Sequence, residues 1–255
     1  MESYKILLYI VFGTLPSLTW LFYYLQKDLH PEPKKMILKI FLLGAIATIP
    51  TLFIQIWLSE SLNAFQYLAV FYSPGIAPYL PPIFGIIKWF FIIALTEELL
   101  KFAMVRLAFF NDGQMDEPLD LMLYMVVSAL GFAAVENMLY IFSPVNNMLS
   151  LDQIIKTTIT ISFIRFVGAT FLHTLCSALV GYFLALSSLK NGHGARFTLF
   201  GIFLATLLHG LYNFSIMTLS APFNFLLPIG ILIGLAVFMV YDFDEIKKIK
   251  GICKI

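Results

Sequence analysis

About seven apolar runs, each close to the length needed to cross a bilayer, constrain this chain more than any other feature. A helix rises 1.5 Å per residue, so about 20 apolar residues traverse a hydrocarbon core of ~30 Å. Runs of this kind occupy about 5 to 26, 36 to 58, 83 to 109, 119 to 142, 158 to 189, 197 to 218 and 224 to 241. Inside lipid no water is available to backbone N–H and C=O groups, so a spanning segment must satisfy them itself, as a helix does. The expected fold is therefore an all-α, polytopic transmembrane helical bundle of about seven spans. Charged residues make up 12% of the chain and mean hydropathy is +0.89, against about 25% charged in soluble domains. A single bundle over 1–241 and a basic tail over 242–255 account for the whole length, with no internal repeat or soluble domain.

The first run is too long for the apolar core of a signal peptide and lacks a small-x-small cleavage site, so it reads as a retained span containing Pro16. Between the second and third runs, the segment 59–82 ends in SPGIAPYLPP, which suggests an interfacial or re-entrant piece. Lys27, Lys34, Lys35 and Lys39 in the first loop, Lys190 and Arg196 in the fifth, and Lys247, Lys248, Lys250 and Lys254 in the tail alternate with loops containing only Lys156. The positive-inside rule then puts the N-terminus outside and the C-terminus in the cytoplasm. The net charge of +1 offers nothing to nucleic acid. Cys176 and Cys253 imply no disulfide framework, and the ending CKI is not a prenylation box.

Charges inside these runs are the informative residues. Each costs about 2.5–3.5 kcal/mol at the bilayer centre on insertion scales, so it marks a functional site by default. The third run holds Glu97, Glu98, Lys101 and Arg106; Glu97 and Lys101, four apart, can pair on one face. Lys101, Arg106 and Arg165 read mainly as charge partners. The fourth run places Glu136 and Asn137 after Gly131, Ala133 and Ala134, small residues that let helices approach. In the fifth, Arg165, Ala169, His173, Ser177 and Gly181 recur every four residues as one polar and small stripe. In the sixth, His209 and Asn213 share a helical face. Glu97, His173 and His209 fall at similar depth, with Glu136 roughly 8 Å nearer the outer face. His30 and His193 fall in loops, and the 26 phenylalanines are packing and lipid-facing residues.

Amide hydrolysis needs an activated water, oxyanion stabilisation and a proton donor to the leaving nitrogen, and carboxylates with imidazoles can supply all three. In a zinc version, His173, His209 and one carboxylate, Glu136 or Glu97, are the protein ligands, and a separate glutamate acts as base. In a metal-free version Glu97 or Glu98 with His173 activates water, while His209 and Asn213 donate to the oxyanion. The sequence is compatible with both.

The ordered set EELLK (Glu97 to Lys101), GFAAVEN (Gly131 to Asn137), His173 and HGLYN (His209 to Asn213) resembles the PrsW family of intramembrane proteases, within the superfamily of CAAX-type prenyl proteases and bacteriocin-processing enzymes. KDLHPEPKK, with Asp28, Glu32 and Pro33, and DEPLDLMLY extend the likeness to about Asp28 to Asn213, although Leu121 stands where that family often has glycine. The resemblance implies cleavage of a membrane-anchored protein, such as an anti-sigma factor cut on its extracytoplasmic side, in a bacterial cytoplasmic membrane. It implies Glu97, Glu98, Glu136, His173 and His209 as active-site residues, with zinc or a metal-free glutamate mechanism.

A proton- or cation-coupled transporter is the alternative, since intramembrane Glu and His chains also build proton relays. It calls for inverted repeats and broken helices. The sequence suggests neither.

Overall fold

Apolar segments in lipid close their hydrogen bonds internally, and the computed structural model accordingly shows helix and no strand among the residues it describes, 3–26, 32–109, 118–145, 150–189 and 194–248. In chain order these are α1 (Ser3–Leu25), α2 (Lys34–Tyr72), a 3₁₀ turn (Pro74–Tyr79), α3 (Leu80–Ile86), a π-helical segment (Ile87–Ala94), α4 (Leu95–Phe109), α5 (Pro118–Val145), α6 (Leu151–Val167), α7 (Ala169–Leu189), α8 (Gly194–Thr218) and α9 (Phe223–Lys248). Six stretches are long and apolar enough to cross a membrane by length and composition, with α6 and α7 counted as one. The remaining expected span, 83 to 109, is helical but changes geometry along its length and carries the charges.

α5 is the hub of the bundle. Of its most apolar 18-residue window 89% is buried, against 22% for α1 and 17% for α9, which face outward. Small residues on α5 make that centrality possible: a Cβ built on Gly131 would lie 1.9 Å from the Phe41 carbonyl oxygen of α2. The same crossing is tight from the other side, where a Cβ on Gly44 would lie 2.0 Å from the Ser128 carbonyl oxygen. Close backbone approach of this kind is how membrane helices gain packing energy without a hydrophobic drive. On its far face α5 meets α7, with Gly181 against the Met122 backbone.

The second, third and fifth spans depart from expectation. The second span does not stop at 58, because α2 continues unbroken for 39 residues to Tyr72. The expected interfacial piece is thus helix as far as Tyr72, and irregular only where Pro74 and Pro78 remove backbone donors. The third span contains a π segment, and the fifth is interrupted at Gly168, whose φ of −94° and ψ of −92° separate α6 from α7. A broken helix does lie beside the polar cluster, contrary to the sequence reading. Trp20 of α1 holds that break: its indole N–H donates to the Phe166 carbonyl at 3.1 Å, and its ring stacks on Phe166 and Phe171.

At the tail α9 runs on to Lys248, past the boundary expected at 241. Cys176 is buried and free. Lys27, Asp28, His30, Lys190, His193, Lys250, Cys253, Lys254 and the acidic residues of the third loop lie outside the described residues, as do the side chains of Lys247 and Lys248.

Candidate active site

Four helices bring the predicted polar residues together. Glu97, Glu98 and Lys101 come from α4, Glu136 from α5, His173 from α7 and His209 from α8. The π segment directly before α4 contributes: a π turn inserts a residue relative to α geometry and so resets which face of the following helix points inward, a device common at functional sites. Glu97, Glu98, Lys101, His173 and His209 are all buried, and Lys101 is fully enclosed.

The contacts form one connected network. Lys101 Nζ lies 2.9 Å from Glu98 Oε1, 3.7 Å from Glu97 Oε2 and 2.8 Å from His173 Nδ1, and sits over the Phe132 ring at 4.8 Å. His209 Nδ1 lies 2.8 Å from the same Glu98 oxygen, and Ser177 donates to the other at 3.4 Å. His173 Nε2 lies 2.8 Å from Glu136 Oε2, which also accepts from Arg165 Nη2 at 2.6 Å. Arg165 Nε donates to Asn137 Oδ1, and the Asn137 amide donates to Thr170 at 3.0 Å. Asn137 therefore ties α5 to both sides of the Gly168 break. The expected pairings of Lys101 and Arg165 are present; Arg106 is exposed, and no ion pair reaches it among the described residues.

Glu97 is placed differently from the other carboxylates. Its Oε1 accepts from Gln55 of α2 at 3.1 Å. Its Oε2 is buried without a hydrogen-bond partner, 3.7 Å from His209 Nε2 and 3.9 Å from His173 Nδ1. Ligand atoms of Glu97, His173 and His209 all lie within 4.8 Å of one another, and the two imidazole rings are 5.1 Å apart. Of the two carboxylates weighed as metal ligands, Glu136 gives one oxygen to both Arg165 and His173, whereas Oε2 of Glu97 accepts no hydrogen bond and lies within 4 Å of both imidazoles and of Lys101.

The donor set fits a divalent cation. Two histidines and a carboxylate form a recognised zinc ligand set, and each imidazole has a carboxylate on one nitrogen, the pattern that orients metal-binding histidines. Three carboxylates, Glu97, Glu98 and Glu136, face two basic side chains, Lys101 and Arg165. One contact opposes the fit, since Lys101 Nζ occupies His173 Nδ1.

A cavity of about 770 Å³ opens beside the cluster, lined by Glu97, Glu136, His173, His209 and Asn213 among others. Asn213 is half-buried there and makes no hydrogen bond among the described residues. Sequence reasoning missed Gln55. An uncharged amide in a 39-residue, largely apolar helix carries no charge signal, and its role appears only when α2 crosses α4.

A family model described as PrsW family intramembrane metalloprotease matches residues 32–241. Among curated proteins, the chain is similar to the Protease PrsW of Oceanobacillus iheyensis, 29% identical over 221 residues that cover 87% of this chain and 88% of the relative. That of Shouchella clausii is 29% identical over 200 residues, 78% of this chain and 79% of the relative. The Protease PrsW of Bacillus subtilis is 25% identical over 219 residues, 85% and 86% of the two chains. No solved structure gives a significant match.

Proposed function

The chain belongs to the PrsW family of intramembrane metalloproteases, an integral protease of a bacterial membrane, and within that activity we propose that Glu97, His173 and His209 form its catalytic centre. The observation that carries this reading is Oε2 of Glu97, buried without a hydrogen bond and within 4 Å of both imidazoles as well as of Lys101. Zinc suits two histidines and a carboxylate. Bound there, it would supply Lewis-acid polarisation and a water acidic enough to ionise near neutral pH.

The surrounding residues then have distinct tasks. Glu98, enclosed between Lys101 and His209, fixes the His209 ring so that Nε2 faces Glu97. Glu136 fixes His173 and, lining the cavity, is the carboxylate positioned to exchange a proton with a bound peptide. Asn213 faces the same cavity with an uncommitted amide, suited to donate to the oxygen of an attacked carbonyl. The substrate is a membrane-anchored protein, such as an anti-sigma factor. The lysine distribution supports an N-terminus outside and a C-terminus in the cytoplasm, with the bundle over 1–241 carrying the activity and 242–255 a basic tail.

A second reading is favoured by the 2.8 Å contact of Lys101 with His173 Nδ1. There the ammonium holds the imidazole, Glu97 activates water without metal, and His209 with Asn213 stabilises the oxyanion. Elemental analysis of detergent-purified wild type and the His173→Ala/His209→Ala double variant separates the two. Near-stoichiometric zinc, lost in the double variant, supports the metal centre; a metal-free preparation that still cleaves, and stops cleaving as Glu97→Gln, establishes the second. Cleavage undiminished in Glu97→Gln removes Glu97 from both.

A further inference from the structure

Tight crossings and a polar tie join most of the neighbouring helices that surround the cavity. Gly44 and Gly131 lock α2 to α5. α7 and α8 meet at Gly201, where a Cβ would lie 2.7 Å from Phe183 Cβ, and α8 meets the π segment at Gly210, where it would lie 2.6 Å from the Phe90 ring. α5 is tied to α6 by Arg165, which bonds Glu136 and Asn137 and stacks over Tyr140 at 3.9 Å. α6 and α8 both edge the cavity and both join α7 at the Gly168 break, yet no Cα pair between them among the described residues approaches within 8 Å.

The Gly168 break is the cause. α7 packs along α8, but beyond the break α6 turns away to pack on α1 and α5. At the apex of the divergence the Tyr212 hydroxyl lies 2.6 Å from where a Gly168 Cβ would be. The gap above it is edged by Ile161 and Ile164 on α6 and by Ile216 and Met217 on α8, all lining the cavity. Ile164 and Met217 are each 62% exposed, so these apolar edges face the surroundings of the bundle and the cavity at once.

We infer that the gap between α6 and α8 is a lateral portal through which a membrane-embedded polypeptide segment passes from lipid to Glu97 and His209, entering uncoiled over a short stretch. This rests on the reading of the cluster as the peptide-cleaving centre, with which the gap is continuous. A whole spanning helix, about 30 Å long and ~11 Å across, fills roughly 2,900 Å³, so a cavity of about 770 Å³ holds only a short stretch of polypeptide and the rest of a span stays in lipid. Uncoiling leaves backbone groups that must find partners in an apolar setting, and the free amide of Asn213 lies just inside the edge.

The test begins by identifying a single-span host-membrane protein that wild type cuts and Glu97→Gln leaves intact, by profiling new N-termini in the host membranes. That protein is then incubated with Glu97→Gln carrying a photo-crosslinking phenylalanine analogue at position 164, 217 or 203, the last replacing Phe203, which is 62% exposed on α8 outside the portal. Crosslinks from 164 and 217 but not 203 are expected. In active enzyme, Ile164→Trp and Met217→Trp are expected to lower kcat/KM at least tenfold with zinc content and Tm retained, and Phe203→Trp to match wild type. Crosslinks from 203 alone, labelling of 164 and 217 only by phospholipid, or full activity in both edge variants overturns the portal. Failure to find any protein spared by Glu97→Gln overturns the reading of the centre itself, and the portal with it.

Discussion

Glu98 and His209 meet across the α4–α8 interface at 2.8 Å between Oε1 and Nδ1, with both side chains at most 2% exposed. A carboxylate on Nδ1 fixes the orientation of the ring and leaves Nε2 facing Glu97. Glu98→Gln is therefore expected to weaken metal affinity by about 10–100-fold, the usual cost of losing such a partner. Competition with a chromophoric chelator measures it, and unchanged affinity would show that His209 is oriented by packing alone.

Gln55 is expected to act through Glu97. Gln55→Met keeps the side-chain length but loses the donor to Oε1, freeing the carboxylate to turn from the imidazoles. Metal retention and kcat should fall together, with KM nearly unchanged. A variant that loses only stability would assign Gln55 to helix packing.

Lys101 is the stability element of the cluster. It is fully enclosed and is the nearest cation to Glu98, so Lys101→Ala leaves a buried carboxylate without its counter-charge. Breaking a buried pair in this way costs about 3–5 kcal/mol. Thermal unfolding should show a much larger drop for Lys101→Ala than for Glu97→Gln. Similar melting of the two would mean that the network does little to hold α4 to α7.

Arg165 reaches Glu136 and Asn137 with different nitrogens of one fork, which a lysine cannot reproduce. Cleavage by Arg165→Lys should fall between wild type and Arg165→Ala, with metal content retained in all three. Wild-type rates in Arg165→Ala would detach the α6 side of the break from catalysis.

Gly131→Ala should destabilise the bundle by at least the ~1–3 kcal/mol typical of overpacking, because its Cβ meets backbone rather than a movable side chain. Gly230→Ala on α9, where a Cβ would meet nothing within 4 Å, should be near neutral. Equal melting temperatures would argue against the close α2–α5 crossing.

The helical fold was legible because lipid leaves an apolar run of about 20 residues one economical way to satisfy its backbone. The residues of the candidate site stood out in the sequence for the complementary reason: Glu97, Glu98, Glu136, His173 and His209 are expensive where they stand. Such reasoning operates residue by residue and along one helix at a time. It could not foresee that Glu136 is committed to Arg165 while Glu97 keeps one oxygen without a hydrogen bond, since that choice depends on where α6 lies relative to α4. Nor did it foresee Gln55, the π segment, or the break at Gly168. These arise where helices from distant parts of the chain compete for the same backbone and side-chain groups, and only the tertiary structure decides that competition.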